Sequence, residues 1–353
     1  MDADIGADLQ KRVTAAFAAG TPLRIRGGNS KHFYGRAPQG ELLAVSDHRG
    51  IVNYQPAELV ISARAGTLLS DIERTLADRR QMLAFEPPHF GEGATLGGTI
   101  ACALSGPRRA YAGAARDFVL GVTIINGRGE RLRFGGEVMK NVAGFDVARL
   151  MAGALGTLGV LLEISLKVLP RPAREVTLVQ EWQPADAINE MNRWAARPVP
   201  LSASCYDGNR LYLRLSGAES GVEAAARHVG GEPLEEAVQF WEGVREQRHG
   251  YFGGSAPLWR LSLPPATPPV ALPGKWLLEW GGAQRWLRGD FVEAAVRDAA
   301  QEAGGHASQF RGGDRNGKRF HPLPPALQSV HQRLKEAFDP KGILNPGRLY
   351  EWC

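Results

Sequence analysis

The 353-residue chain is 44% hydrophobic and 22% charged, which fits a soluble globular protein, and its length calls for about two domains. Its net charge of +5 hints at an anionic ligand, but 34 of the 42 Lys and Arg residues are Arg, scattered without a basic block, so a nucleic-acid footprint is not indicated. No run approaches the roughly 20 apolar residues of a membrane span, and an amino terminus carrying Asp2, Asp4 and Asp8 does not resemble a signal peptide; a cytoplasmic chain is expected.

In chain order, ADLQKRVTAAFAAG has helical spacing and stops at Gly20, and PLRIR follows as a strand. That strand runs into Gly27 and Gly28. Two adjacent glycines there suit either a tight turn or a bare backbone whose N–H groups receive an anion. ELLAV, GIVNYQP and ELVISARAG read as further strands. TLLSDIERTLADRR reads as a helix with Thr67 as N-cap and Leu68, Leu69, Ile72 and Leu76 along one face. This order argues for a layered α+β domain.

Between Gly91 and Gly159 there are 15 glycines in 69 residues, a density expected where backbone lies close to something else. GEGATLGG imitates a dinucleotide fingerprint, yet it follows the proline-containing FEPPHF rather than a strand, so a Rossmann site is not indicated. No phosphate-loop motif occurs. Cys102, Cys205 and Cys353 lie far apart and suggest neither a disulfide framework nor an iron–sulfur ligand set.

RIRGGNS, then ATLGGTIACALSGPRRAYAGAARDFVLGVTIINGRGE, GGEVMKNVAGFDVARLMAGALGTLGVLLEISLKVLP and finally FDPKGILNPGRLY resemble the FAD-linked oxidases and dehydrogenases related to vanillyl-alcohol oxidase. The resemblance implies an α+β fold: a two-subdomain PCMH-type FAD-binding domain over 1–170, then a shortened α+β cap with an antiparallel sheet over 171–335. A last segment, 336–353, would return to the FAD domain. It further implies that Arg26, Gly27, Gly28, Asn29 and Ser30 cradle the FAD diphosphate, and that Thr95, Gly97, Gly98 and Thr99 close from the other side. Ser105, Gly106, Gly113, Gly159, Val160 and Asn345 match further cofactor-contact positions. Tyr111 is displaced from the usual aromatic position before Gly113. Asn29 stands where some relatives carry a histidine that links FAD covalently, and His32 is out of register, so non-covalent FAD is expected. Cys102 is read as a small buried hydrophobe. Lys140 and Asn141 also match the family; Lys140 is read as pairing with a carboxylate and Asp146 as capping a helix from about Val147.

Pro170 and Pro172 mark the exit from the first domain, and all eight tryptophans follow from Trp182 on. KWLLEWGGAQRWLRG reads as a hairpin around Gly281-Gly282, and PADAINEMNRWAA and GDFVEAAVRDAAQEAG as helices. Removing hydride from a 2-hydroxy acid calls for a cation to hold the carboxylate and a base for the hydroxyl proton. His306, Arg311 and Arg315 are the candidates. His306 and His321 have no metal-ligand spacing, and no metal site is expected. The resemblance implies a FAD-bearing subunit of a complex that oxidises glycolate or a related 2-hydroxy acid, with a D-type flavin subunit and an iron–sulfur subunit as partners. The other reading is a FAD-binding scaffold whose partner performs the chemistry.

Overall fold

The computed structural model describes residues 2–136 and 146–353. Helix α1 (Gly6–Ala19) buries Leu9, Val13 and Ala16 on one face and ends at Gly20, whose φ of 68° supplies the left-handed cap expected of it. Strand β1 (Leu23–Arg26) pairs in parallel with β2 (Glu41–Ala44). Next come β3 (Ile51–Gln55), β4 (Val60–Arg64) and α2 (Leu69–Ala77). Thr67 does not cap α2. That helix starts after Leu68 with no side-chain cap, because the Thr67 hydroxyl accepts from the Gly50 N–H at 2.9 Å and donates to the Gly50 carbonyl at 3.1 Å. A bond to the turn before β3 has replaced the local one.

Helix α3 (Leu96–Cys102) is capped by Thr95, whose hydroxyl accepts from the Gly98 N–H. Strands β5 (Val119–Ile125), β6 (Arg131–Gly135) and β7 (Val160–Lys167) complete a five-stranded sheet in the order β3-β4-β7-β5-β6, antiparallel throughout. α1, α2 and α3 pack with it around one core that includes Leu9, Ile72, Ile100, Ile124 and Leu162.

The second lobe is built on one antiparallel sheet. Its strands are β8 (Arg174–Glu181), β9 (Leu201–Tyr206), β10 (Arg210–Gly217), β11 (Leu258–Ser262), β12 (Trp276–Glu279), β13 (Gln284–Arg288) and β14 (His306–Arg311). They lie in the order β8-β10-β9-β12-β13-β11-β14, with Glu232–Pro233 added beside β8. β12 and β13 form the expected hairpin around Gly281-Gly282. Alternation along the strands separates two faces. Leu211, Leu213 and Leu215 pack against α4 (Pro184–Ala195) and α5 (Glu219–Val229), and Trp259, Leu261 and Leu287 against α7 (Glu293–Glu302). The opposite face, with Cys205, Tyr212, Trp286 and Phe310, packs on Trp241 of α6 (Ala237–Arg245) and on Tyr34, Leu104 and Leu155 of the first lobe.

Ion pairs join the lobes beside that seam. Glu86 accepts from Arg214 at 2.8 Å and pairs with Arg108, which also bonds Glu175. After α8 (Pro325–Phe338) the chain returns to β1, where the Leu23 N–H donates to the Ile343 carbonyl at 2.7 Å.

Candidate cofactor site

β1 delivers Arg26 directly into the glycine pair, and Asn29 continues with a φ of 62°. The N–H groups from Gly27 to Lys31 donate to no protein acceptor among the described residues; the next one, on His32, closes on the Asn29 carbonyl. Consecutive free N–H groups facing a cavity form an anion-binding concavity. Close approach explains the glycines. A Cβ at Gly27 would sit 2.6 Å from the Thr95 hydroxyl, and one at Gly28 would collide with the Gly93 carbonyl.

The second loop works differently. Its donors are spent within the protein: Leu96 N–H on Thr67, Gly97 N–H on Ala65 and Thr99 N–H on Thr95. It contributes proximity, since a Cβ at Gly97 would sit 2.7 Å from the Ala65 Cβ. A Cβ at Gly98 would press on one atom outside its own helix backbone, the Thr95 hydroxyl at 3.2 Å, so that position is less crowded than Gly97.

The two loops line a cavity of about 280 Å³. Arg24, Arg26, Lys31, Arg315 and Arg348 reach its wall, and no Asp or Glu among the described residues does. Lys31 is only 6% exposed and its Nζ donates to the His89 carbonyl at 3.2 Å. Burial lowers its pKa. Burial likewise lowers Arg315 and brings Arg348 down to about 10. These two guanidiniums donate to carbonyls of Lys31, His32 and Arg36, and the Arg315 Nε has no partner among the described residues. Guanidiniums whose described partners are carbonyls suit an anionic ligand. A diphosphate fits both the charge and the free donors.

Of the residues expected at the cofactor, Arg26, Gly27, Gly28, Asn29, Ser30, Thr95, Gly97, Gly98, Gly159 and Asn345 line this cavity. Asn345 bridges its two walls: Oδ1 accepts from the Ile25 N–H at 2.7 Å and Nδ2 donates to the Leu155 carbonyl at 2.7 Å. Thr99 and Val160 are fully buried behind the wall rather than in it, and the Thr99 hydroxyl is without a partner among the described residues. Ser105 and Gly106 line a separate small cavity between the lobes, where the Ser105 hydroxyl accepts from the Ala115 N–H. Gly113 serves a turn, ending the short helix 109–112 at a φ of 111°. Tyr111 bonds Ser204 of the second lobe at 3.2 Å. Asp146 caps the turn from Val147, accepting from the Arg149 N–H at 3.1 Å; Lys140 and Asn141 lie outside the described residues. Cys102 lines the cavity and its thiol is pushed up by burial.

The three residues expected at the chemistry do not converge. His306 and Arg311 stand at opposite ends of β14, about 17 Å apart at strand rise. His306 has its ring 6.4 Å from that of His321, and Arg311 lies over Phe33 at 4.6 Å. Only Arg315 reaches the main cavity. Lys31 and Arg348, unflagged by sequence reasoning, are its buried cations. Lys31 directly follows the glycine loop, which was the available signal.

Residues 6–135 match the FAD binding domain family and 323–349 the C-terminal domain of FAD linked oxidases. The chain is 50% identical over 349 residues to glycolate oxidase subunit GlcE of Escherichia coli (strain K12), covering 99% of this chain and 98% of the relative. It is 26% identical over 226 residues to glycolate oxidase subunit GlcD of Bacillus subtilis (strain 168), covering 63% of this chain and 48% of that one. Among solved structures, alkyldihydroxyacetonephosphate synthase superposes with a TM-score of 0.69 at 15% identity, over 96% of this chain and 74% of the other, a likeness of fold. With the anion cradle and near full-length identity in agreement, the chain belongs to the FAD-linked oxidase family, together with glycolate oxidase subunit GlcE.

Proposed function

We propose that the chain is the FAD-binding subunit of a multi-subunit glycolate oxidase, an FAD-dependent oxidoreductase acting on the CH–OH group of a small 2-hydroxy acid. The observation that carries this is the cradle of free N–H groups from Gly27 to Lys31 beside a wall that, among the described residues, holds cations and no carboxylate. In this reading 1–170 is the FAD-binding domain, 171–335 the cap and 336–353 the segment that returns to complete the cofactor site. Bound FAD supplies a two-electron acceptor. The protein's own part is to hold the diphosphate on the first loop, to balance its charge with Lys31, Arg315 and Arg348, and to let it lie against Gly97 and Gly98. Asn345 keeps the two walls in register.

The cofactor is held without a covalent bond, since Asn29 occupies the linking position. Electrons leave through partners: a D-type flavin subunit and an iron–sulfur subunit. No helix among the described residues is long and apolar enough to cross a membrane; we assign the subunit to the cytoplasm, touching the inner membrane only peripherally through the complex. A second reading, an assembly subunit with the chemistry in the homologous partner, is favoured by the separation of His306, Arg311 and Arg315. Redox titration of the flavin in the isolated subunit separates the two, because a flavin inert to reductants and partners supports the scaffold. The primary test is denaturation of the purified, FAD-reconstituted and desalted chain. A yellow supernatant is expected; colourless folded protein overturns FAD binding, and flavin retained in the precipitate overturns the non-covalent mode.

A further inference from the structure

We propose that Lys335 is a positioning residue for the cofactor: its buried ammonium fastens the returning last segment to the 155–159 stretch and so sets Asn345, which spans the cavity. The inference rests on the FAD reading above and adds what holds the two walls of the site at their separation. Neither Lys335 nor its partner Asp339 lines the cavity. Both act from behind it.

Lys335 lies in the last turn of α8, and Asp339 follows as the residue that ends the helix, four positions on, a spacing that brings two side chains together. Lys335 is 8% exposed and Asp339 1%. An ammonium carries three N–H donors, and three acceptors meet it here: Asp339 Oδ2 at 2.7 Å, the Thr157 carbonyl at 2.9 Å and the Leu344 carbonyl at 3.0 Å. The carboxylate is occupied as well. Asp339 Oδ1 accepts from the Ile343 N–H at 3.0 Å and Oδ2 from the Leu344 N–H at 2.7 Å. The turn between β5 and β6 presses on the pair, since a Cβ at Gly127 would sit 2.3 Å from Asp339 Oδ1.

These links reach both walls. Leu155, Gly156 and Gly159, around Thr157, line the cavity, and Leu344 directly precedes the lining residue Asn345. The segment carrying Asn345 is bonded to β1, with the Leu23 N–H on the Ile343 carbonyl at 2.7 Å and the Asn345 N–H on the Leu23 carbonyl at 2.9 Å. The Asn345 side chain then joins Ile25 to Leu155. An ammonium and an amide therefore tie the same two pieces of chain, one behind the wall and one in it. The fit is close: a Cβ at Gly156 would sit 2.7 Å from Asn345 Nδ2. Were Thr157 and Leu344 to separate, Asn345 would lose one of its two side-chain bonds, and β1 would part from the 155–159 stretch.

A buried ion pair is a weak source of stability, because desolvation offsets the attraction, and an apolar side chain of similar volume often serves as well. What an apolar side chain lacks is direction. It cannot hold two carbonyls of separate segments at fixed distances. The pair thus serves geometry, and the geometry it fixes is that of the cofactor cavity.

The test titrates FAD into the full-length apo chain, reading flavin fluorescence and the visible spectrum, with the urea midpoint of each apo protein measured alongside. Lys335→Met and Asn345→Ala should each weaken FAD binding about tenfold and change the bound-flavin spectrum in the same way. The double variant should bind FAD about as well as the weaker single one, because both residues act on one joint. A lysine with an architectural role alone would lower the urea midpoint and leave the FAD affinity of the folded protein at its wild-type value, and that result overturns the inference. So does a loss of about a hundredfold in the double variant, the mark of independent effects, or an Asn345→Ala chain that binds FAD as wild type does. If Lys335→Met does not fold, Lys335→Gln, whose amide keeps two donors, is measured in its place by the same criteria. A folded wild type that binds no FAD overturns the FAD reading instead.

Discussion

At the scale of single residues, Gly98 and Gly28 separate ligand space from structural space. Gly98→Val puts its side chain at the cavity wall, where the Thr95 hydroxyl at 3.2 Å from the Cβ must shift by a few tenths of an ångström, so the fold should survive with a small loss of stability while FAD retention after desalting falls by about tenfold or more. Gly28→Ala has no such freedom, because its Cβ meets the Gly93 carbonyl; the loops must part, and both thermal stability and FAD binding should drop. Wild-type FAD content in Gly98→Val contradicts the placement. Glu279 makes a second prediction. Its pKa rises from 4.5 to about 7 on folding, so between those values the folded chain holds a proton that the unfolded chain has lost. Stability therefore falls as pH rises across that window and stays lower above it, by roughly 3 kcal/mol. Glu279→Gln should be more stable than wild type by up to that amount at pH 8 and nearly equal to it at pH 4.5. Urea denaturation at the two pH values checks this, and an identical difference at both would contradict it.

At the scale of elements, the seam between the lobes depends on Glu86, in the segment leading to α3. Burial alone would raise its pKa, but Arg214 and Arg108 prevail and hold the carboxyl below its usual value. Its contribution to stability is present above the unfolded pKa and is lost as pH falls through the folded one. Glu86→Gln leaves two buried guanidiniums short of charge and should cost about 3 kcal/mol, read as a lower urea midpoint. Elements with local causes were legible in the sequence: α1 from its apolar spacing and Gly20, the first glycine loop from the strand feeding it, the β12–β13 hairpin from Gly281-Gly282, and Asp146 as a cap. What depended on distant partners was not. Thr67 was drawn to Gly50, and Arg348 reaches Arg36 and His32 only because the last segment folds back across more than 300 residues. The small cavity walled by Glu279 is defined by register across three strands, which no single stretch displays. His306 and Arg311 are close in sequence, but a strand between them keeps them apart.

At the scale of the whole molecule, the question is where electrons go once they reach the flavin. Cys102, Cys205 and Cys353 are separate free thiols, and no group of three metal-ligating side chains occurs among the described residues. In the complex proposed above, the acceptor is supplied by another chain. Most tryptophans are spent on packing: Trp194, Trp241, Trp259 and Trp286 are buried in the cap, Trp276, Trp280 and Trp352 are half-buried, and Trp182 is exposed at 36%. Exposed apolar side chains lie elsewhere, with Val238 on α6, Val292 before α7, and Leu327 and Val330 on α8. We therefore expect the tagged chain, expressed among its natural partners, to copurify with a second flavin subunit and an iron–sulfur subunit. We also expect the isolated FAD-loaded chain to turn over glycolate with an artificial acceptor far more slowly than the complex. A single anaerobic reduction of its flavin remains compatible with that, since one turnover needs no outlet. Steady turnover by the isolated chain at the rate of the complex would show that the partners are dispensable for the chemistry, and the proposal of an obligate complex would fail.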